Sequence, residues 1–235
     1  MSQLSDFIKI RDDVVPEHIC RKAIELFEAD WPYHEASKVG ADEAEQNQLE
    51  RATIQQNLID GKALQHEEFY KSVGTKDLSG RHAIEMNCSQ RIATSPDWEN
   101  LLKYMNHNAV QQYLRYKSEM VEAGYAPYMF PRKFRLESWR MHRYDVGEHF
   151  FKDHIDSIDA KSSKRYLAFL YYPNTVTEGG ETSFAYNLKG IECHPRQGRL
   201  LISPTWMGFP HEGKTPISNT KYLLKTYFHF PEIDD

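Results

Sequence analysis

Residues Arg165 to Ser203, "RYLAFLYYPNTVTEGGETSFAYNLKGIECHPRQGRLLIS", decide the fold. The runs "RYLAFLYY", "ETSFAY", "GIECH" and "RLLIS" are short, and most are rich in aromatic or β-branched side chains. The breaks "PNTVTEGG", "NLKG" and "PRQG" carry the Pro, Asn and Gly that turns require. Working outward, the same texture starts at Phe134 with "FRLESWRMHRY" and "HFFKDHID" and continues through "GFPHE" to "YLLKTYFHF". Eight short strands within roughly a hundred residues predict a sandwich or jelly roll.

Upstream the periodicity changes. "FIKIRDDVV" predicts a short strand and "PEHICRKAIELFEAD" a helix, with Ile19, Ala23, Leu26 and Phe27 on one face and Pro16 in its first turn. "SPDWENLLKYMNHNAVQQYLRYKSEM" is the clearest helix. Ser95 caps it, and Trp98, Leu101, Leu102, Met105, Val110, Tyr113 and Leu114 form its apolar stripe. The stretch 34–64 reads as a polar insertion, either a flap or a solvated excursion. The expected organisation is one domain, 1–235: an N-terminal strand and helices over 1–130, packed outside a jelly-roll core over 131–235.

Composition narrows the function classes. With 235 residues, 40% hydrophobic, 27% charged and a net charge of -5, the chain reads as a soluble globular protein without the basic stripe that nucleic-acid binding needs. No apolar run is long enough to span a bilayer, and the N-terminus lacks a signal pattern. Cys20, Cys88 and Cys193 are odd in number and far apart, which points to a reducing, cytoplasmic setting.

The chemistry concentrates in Tyr144 to Ser157, "YDVGEHFFKDHIDS". On a strand, residues two apart share a face, so His154 and Asp156 set an imidazole beside a carboxylate. Alone, H-x-D is equally a surface pair: with eleven histidines, roughly one such triplet arises by chance. His211, just before the last strand, supplies a third ligand. Two histidines and a carboxylate form the facial triad of non-haem iron(II), with positions left open for substrates. If that iron activates oxygen, a 2-oxo acid can supply two electrons, and its distal carboxylate needs a cation. Lys221, on the final strand, offers one, and Lys225 has the same parity. By that parity His149 faces away from the metal. His142 lines the pocket or is a satisfied barrel histidine; Arg140 reads a substrate carboxylate or merely snorkels.

These features together resemble the prolyl 4-hydroxylase-like branch of the 2-oxoglutarate- and iron(II)-dependent oxygenases. The resemblance runs from Phe134 to Phe230 through "YDVGEHFFKDHID", "RYLAFLYYPN" with "EGGETSF", "HPRQGRLLISP" and "HEGKTPISNTKYLLKTYFHF". It implies a double-stranded β-helix core, with His154, Asp156 and His211 as iron ligands. It implies Tyr144, Tyr172 and Lys221 as the 2-oxoglutarate pocket, Tyr172 beside the lysine at the distal carboxylate. Arg165 matches a basic position of the pattern. Gly147 stands one residue further from His154 than the pattern has it, which predicts a looser turn.

The implied cofactors are Fe(II), 2-oxoglutarate as cosubstrate and O2, with ascorbate as a possible reductant. The implied reaction turns an unactivated C–H bond into C–OH, with succinate and CO2 as coproducts. Asp156, a carboxylate rather than a small residue, argues against halogenation. A prolyl residue in a protein or peptide is the expected substrate, a free amino acid or other small molecule the alternative. Rivals from other classes are a non-catalytic cupin-like binding module and a zinc hydrolase, for which no H-E-x-x-H motif exists.

Overall fold

The computed structural model describes residues 3–37 and 81–231. Twelve strands are described: β1 (Lys9–Arg11), β2 (Glu35–Ser37), β3 (Arg81–Asn87), β4 (Arg135–Leu136), β5 (Arg140–Tyr144), β6 (Phe150–His154), β7 (Arg165–Tyr172), β8 (Thr182–Phe184), β9 (Glu192–Cys193), β10 (Arg199–Pro204), β11 (His211–Gly213) and β12 (Lys221–His229). They pair in the order β1-β10-β7-β12-β5-β3-β6-β11-β8-β9, with β2 added to β3 and β4 to β12. Every pairing is antiparallel. The β10-β7-β12-β5 face and the smaller β6-β11-β8-β9 face form the jelly roll. β3 joins them, pairing with β5 through Ile84–Asn87 and with β6 through Arg81–His82.

Two helices cover the outside of the larger face. α1 (Glu17–Ala29) follows Pro16, which is the N-cap rather than a first-turn residue, and buries Cys20, Ala23 and Phe27. α2 (Pro96–Glu122) starts where the Ser95 side chain accepts a hydrogen bond from the Trp98 amide. It buries Trp98, Leu101, Leu102, Met105, Ala109, Tyr113, Tyr116 and Met120. The expected stripe departs from this at its C-terminal half. Leu114 is 48% exposed, because it stands one residue, about 100°, off the Tyr113 row.

Alternation along β7 and β12 separates two apolar clusters. Leu167, Phe169 and Tyr171 of β7, with Leu224 and Phe228 of β12, face the helices. Ala168, Leu170 and Tyr172, with Leu223 and Tyr227, face the barrel interior. Burying each large side chain contributes about 1.5–3 kcal/mol, so the helix-side cluster fixes the sheet that carries the site.

Two boundaries differ from the sequence reading. The core does not begin at 131, since β1 and β3 are integral strands of the sheet. The polar stretch 34–64 begins as structure, with His34 buried and β2 paired to β3; its remainder lies outside the described residues.

Candidate active site

β6 ends on His154 and β11 begins on His211, and the two are register partners. Their rings stand 4.4 Å apart. Asp156 follows two residues after His154, its Oδ1 3.8 Å from His154 Nε2 and its Oδ2 3.6 Å from His211 Nε2. One ligand atom from each of the three lies within 4.8 Å of the others.

Hydrogen bonding sets the orientation of each group. His154 Nδ1 is 2.8 Å from the Lys152 carbonyl and His211 Nδ1 is 3.1 Å from the Phe209 carbonyl. A carbonyl only accepts, so both protons are assigned to Nδ1 and both Nε2 lone pairs are left free. The Tyr227 hydroxyl donates to Asp156 Oδ1 at 2.7 Å. Asp156 Oδ2 is buried without a hydrogen-bond partner among the described residues. Burial works against the ionised carboxylate, but the charges of His211, His154 and Lys225 outweigh it and hold Asp156 at about 2. Burial first, then His211, drives His154 down to about 3.

Those observations test whether a metal fits. A buried carboxylate oxygen without a donor is costly unless a cation meets it. Two imidazole lone pairs beside it complete a nitrogen and oxygen set suited to non-haem iron(II), and no thiolate closes the shell. The donor set fits iron(II).

A cleft runs from the triad into the barrel, past Tyr144, Phe151, Thr182 and Leu223, to Lys221 and Lys225. Lys221 is 1% exposed, and its Nζ donates to the Gly180 carbonyl at 2.6 Å. An ammonium has three donors, so two are without a partner among the described residues. Burial lowers Lys221 to about 8. Its Nζ lies 5.1 Å from the Tyr144 ring and 5.7 Å from the Tyr172 ring. Tyr172 is fully buried and its hydroxyl is 2.8 Å from Thr182 Oγ1. Thr182, the partner of that hydroxyl, lines the cleft.

The sequence reading did not single out Tyr227, although it shares the two-residue parity of Lys221 and Lys225 on β12. Phe151, stacked on His154 at 3.4 Å, was also unmarked. Arg165 forks onto Glu137 with two 2.6 Å bonds, donates to the Asp156 carbonyl at 3.0 Å and lies 4.1 Å above the Tyr227 ring. It braces the loop carrying Asp156. His149 precedes β6 and is buried away from the triad, its Nδ1 accepting the Asp145 amide at 2.8 Å. Gly147 sits in a turn at φ +73. Trp206 is half exposed and, with Ser157, Arg165 and Phe209, lines a second cavity of about 480 Å³ beside the triad.

Comparisons with known proteins agree with this geometry. Residues 139–229 match the model of the 2OG-Fe(II) oxygenase superfamily. No curated protein sequence matches the chain. Among solved structures, the chain is similar to a viral collagen prolyl hydroxylase from Paramecium bursaria Chlorella virus-1 in its 2OG complex. The TM-score is 0.58 at 15% identity, over 96% of this chain and 97% of that one. A prolyl hydroxylase from Trichoplax adhaerens, in complex with a hypoxia-inducible-factor oxygen-degradation-domain peptide, gives 0.64 at 13%, over 96% and 84%. A Pseudomonas putida prolyl-4-hydroxylase gives 0.52 at 13%, over 96% and 93%. At such identities the likeness is one of fold.

Proposed function

We propose that this chain, whose residues 139–229 match the model of the 2OG-Fe(II) oxygenase superfamily, is an iron(II)- and 2-oxoglutarate-dependent dioxygenase hydroxylating an unactivated C–H bond. The substrate we assign is a prolyl residue in a protein or peptide, a reading supported by the likeness in fold to prolyl hydroxylases. The observation that carries the oxygenase reading is the convergence of His154, Asp156 and His211, with Asp156 Oδ2 buried and without a hydrogen-bond partner among the described residues.

His154, Asp156 and His211 would hold the iron. When bound, iron(II) and 2-oxoglutarate activate O2, which oxidises the keto acid to succinate and CO2 and the substrate C–H to C–OH. The chain's residues provide the setting. Tyr227 holds Asp156 by one oxygen and so presents the other. The two backbone carbonyls fix both imidazole planes. Lys221, two of whose donors have no partner among the described residues, pairs with the distal carboxylate of 2-oxoglutarate at the foot of the cleft. Tyr144 walls the passage between them, and the aliphatic and aromatic lining excludes water.

The test is anaerobic addition of iron(II) and 2-oxoglutarate, followed by the weak visible charge-transfer absorption of the chelate. We expect the band in the native protein, its loss in His154→Ala and its retention in His149→Ala. Absence from the native protein overturns the oxygenase reading and favours a silent binding module. Succinate release against proline-containing peptides and free amino acids tests the substrate, and release driven only by non-prolyl compounds overturns the prolyl assignment.

A further inference from the structure

We infer that the interior wall formed by β3, β5 and β12 beside the triad is a recognition subsite for a carboxylate carried by the substrate, an inference that rests on the oxygenase reading and deepens it. The prolyl pocket of such a reading needs no charge of its own, yet this wall is densely ionic. Lys225 of β12 is the register partner of Arg140 on β5, so the two cations are neighbours on the inward face. Glu85 of β3 stands opposite His142 and accepts from Arg140 at 2.9 Å. Arg81 lies 3.3 Å from Glu85 and 4.9 Å above the Phe151 ring, which itself stacks on His154. The wall therefore abuts the triad.

Glu85 pairs with both Arg81, at 3.3 Å, and Arg140, at 2.9 Å, whereas Lys225 has no ion pair among the described residues. Lys225 is only 7% exposed, lines the cleft and makes no hydrogen bond among the described residues. His142 is 0% exposed, and among the described residues neither ring nitrogen has a hydrogen-bond partner, the nearest carboxylate oxygen being Glu85 Oε2 at 3.6 Å from Nδ1; Arg81 Nε likewise has none. Buried polar groups left unmet in this way call for a ligand. Burial and then the Lys225 charge keep His142 well below its ordinary value, so it adds no further charge to the wall. An anion set between Lys225 and Arg140 meets Lys225, the wall cation that Glu85 does not pair with. A carboxylate suits the planar fork of Arg140, whose other edge Glu85 already holds.

The carboxylate can belong to a small acid or to an acidic side chain flanking the oxidised residue, and the test separates them. The full-length protein is loaded with zinc(II) and 2-oxoglutarate, which permits no turnover, and titrated calorimetrically. One arm uses free amino acids, proline included, and their primary amides; the other uses proline-containing peptides with Asp or Glu beside the proline, and their Asn or Gln counterparts. In one arm the acid binds about tenfold or more tightly than its amide, as a charge-assisted contact requires. Arg140→Met and Lys225→Met each erase that preference, and Arg140→Met moves 2-oxoglutarate affinity less than about twofold. Arg140→Gln and Lys225→Gln serve where a Met variant unfolds early. Equal binding of acid and amide in both arms overturns the subsite, as does a preference that survives both substitutions. A preference that persists although 2-oxoglutarate does not bind leaves the subsite standing and overturns the oxygenase reading.

Discussion

Two single groups decide whether the site can work. Tyr227 contributes one hydroxyl to Asp156 Oδ1. Its removal leaves the carboxylate free to rotate, and outer contacts of this kind are worth about 10–100-fold in metal affinity. Tyr227→Phe should weaken iron(II) or manganese(II) binding by that order in a direct titration, with the thermal midpoint of the metal-free protein little changed. A shift below about twofold removes Tyr227 from the positioning role. The second group is Lys221. Burial depresses it to about 8, so it is charged below that pH and loses its proton above it. A neutral amine cannot pair with the distal carboxylate, so 2-oxoglutarate affinity should fall about tenfold per pH unit above 8. Lys221→Arg stays charged and should flatten that fall, which separates Lys221 from Lys225, also lowered to about 8 by burial. A fall that persists unchanged in Lys221→Arg means another group titrates.

At the level of elements, the Gly179–Gly180 turn connects the scaffold to the pocket. Gly179 has φ +72, and a Cβ there would lie 2.5 Å from the Thr215 carbonyl oxygen and 2.9 Å from the Ile217 amide nitrogen. The next residue, Gly180, supplies the carbonyl that holds Lys221. Gly179→Ala should cost on the order of 1–3 kcal/mol in urea unfolding and weaken 2-oxoglutarate binding as well. Gly190→Ala, at φ +97 with open space around it, carries the backbone strain alone and should cost less. Equal losses would mean that the contact with the Thr215–Ile217 strap is irrelevant. The legibility of the elements follows the same logic. β5 to β12 can be read because turn residues punctuate strands with apolar cores. β3, "RHAIEMN", escapes such a reading. Its outward residues Ile84 and Met86 pack under the helices, but its inward residues include Arg81 and Glu85, so the alternation looks like a charged loop. The polar inward face that hides the strand is the face turned toward the triad, where local rules are expected to give way to function. The grouping of His154, Asp156 and His211 was legible for the opposite reason: the H-x-D pair and the later histidine stand in segments whose order resembles a known pattern. Tyr227 and Phe151 look like ordinary aromatic strand residues, and only the register reveals what they touch.

Across the whole molecule, the ligands come from a strand end, a loop and a strand start that the sheet alone brings together. His154 and Asp156 lie more than fifty positions before His211, and the β6–β11 pairing closes that distance. A metal bound to all three therefore ties two segments of the smaller face and should stabilise the entire fold, since the unfolded chain offers no such triad. By linkage, ligand at a hundred times its dissociation constant adds about 2.7 kcal/mol. For a domain of this size each kcal/mol moves the midpoint by about 2–4 °C. Saturating manganese(II), which supports no turnover without substrates, should thus raise the thermal midpoint by about 5–10 °C. His211→Ala should abolish the rise because it disconnects β11, even though His154 and Asp156 remain adjacent. His149→Ala should keep it, since that imidazole accepts the Asp145 amide in the turn before β6 and is not one of the three ligands. If manganese raises the midpoint of His211→Ala as much as that of the native protein, the metal is held by one segment alone. The smaller face would then owe its closure to strand pairing and to Phe184 and Phe209 packing within the barrel, not to a shared ion.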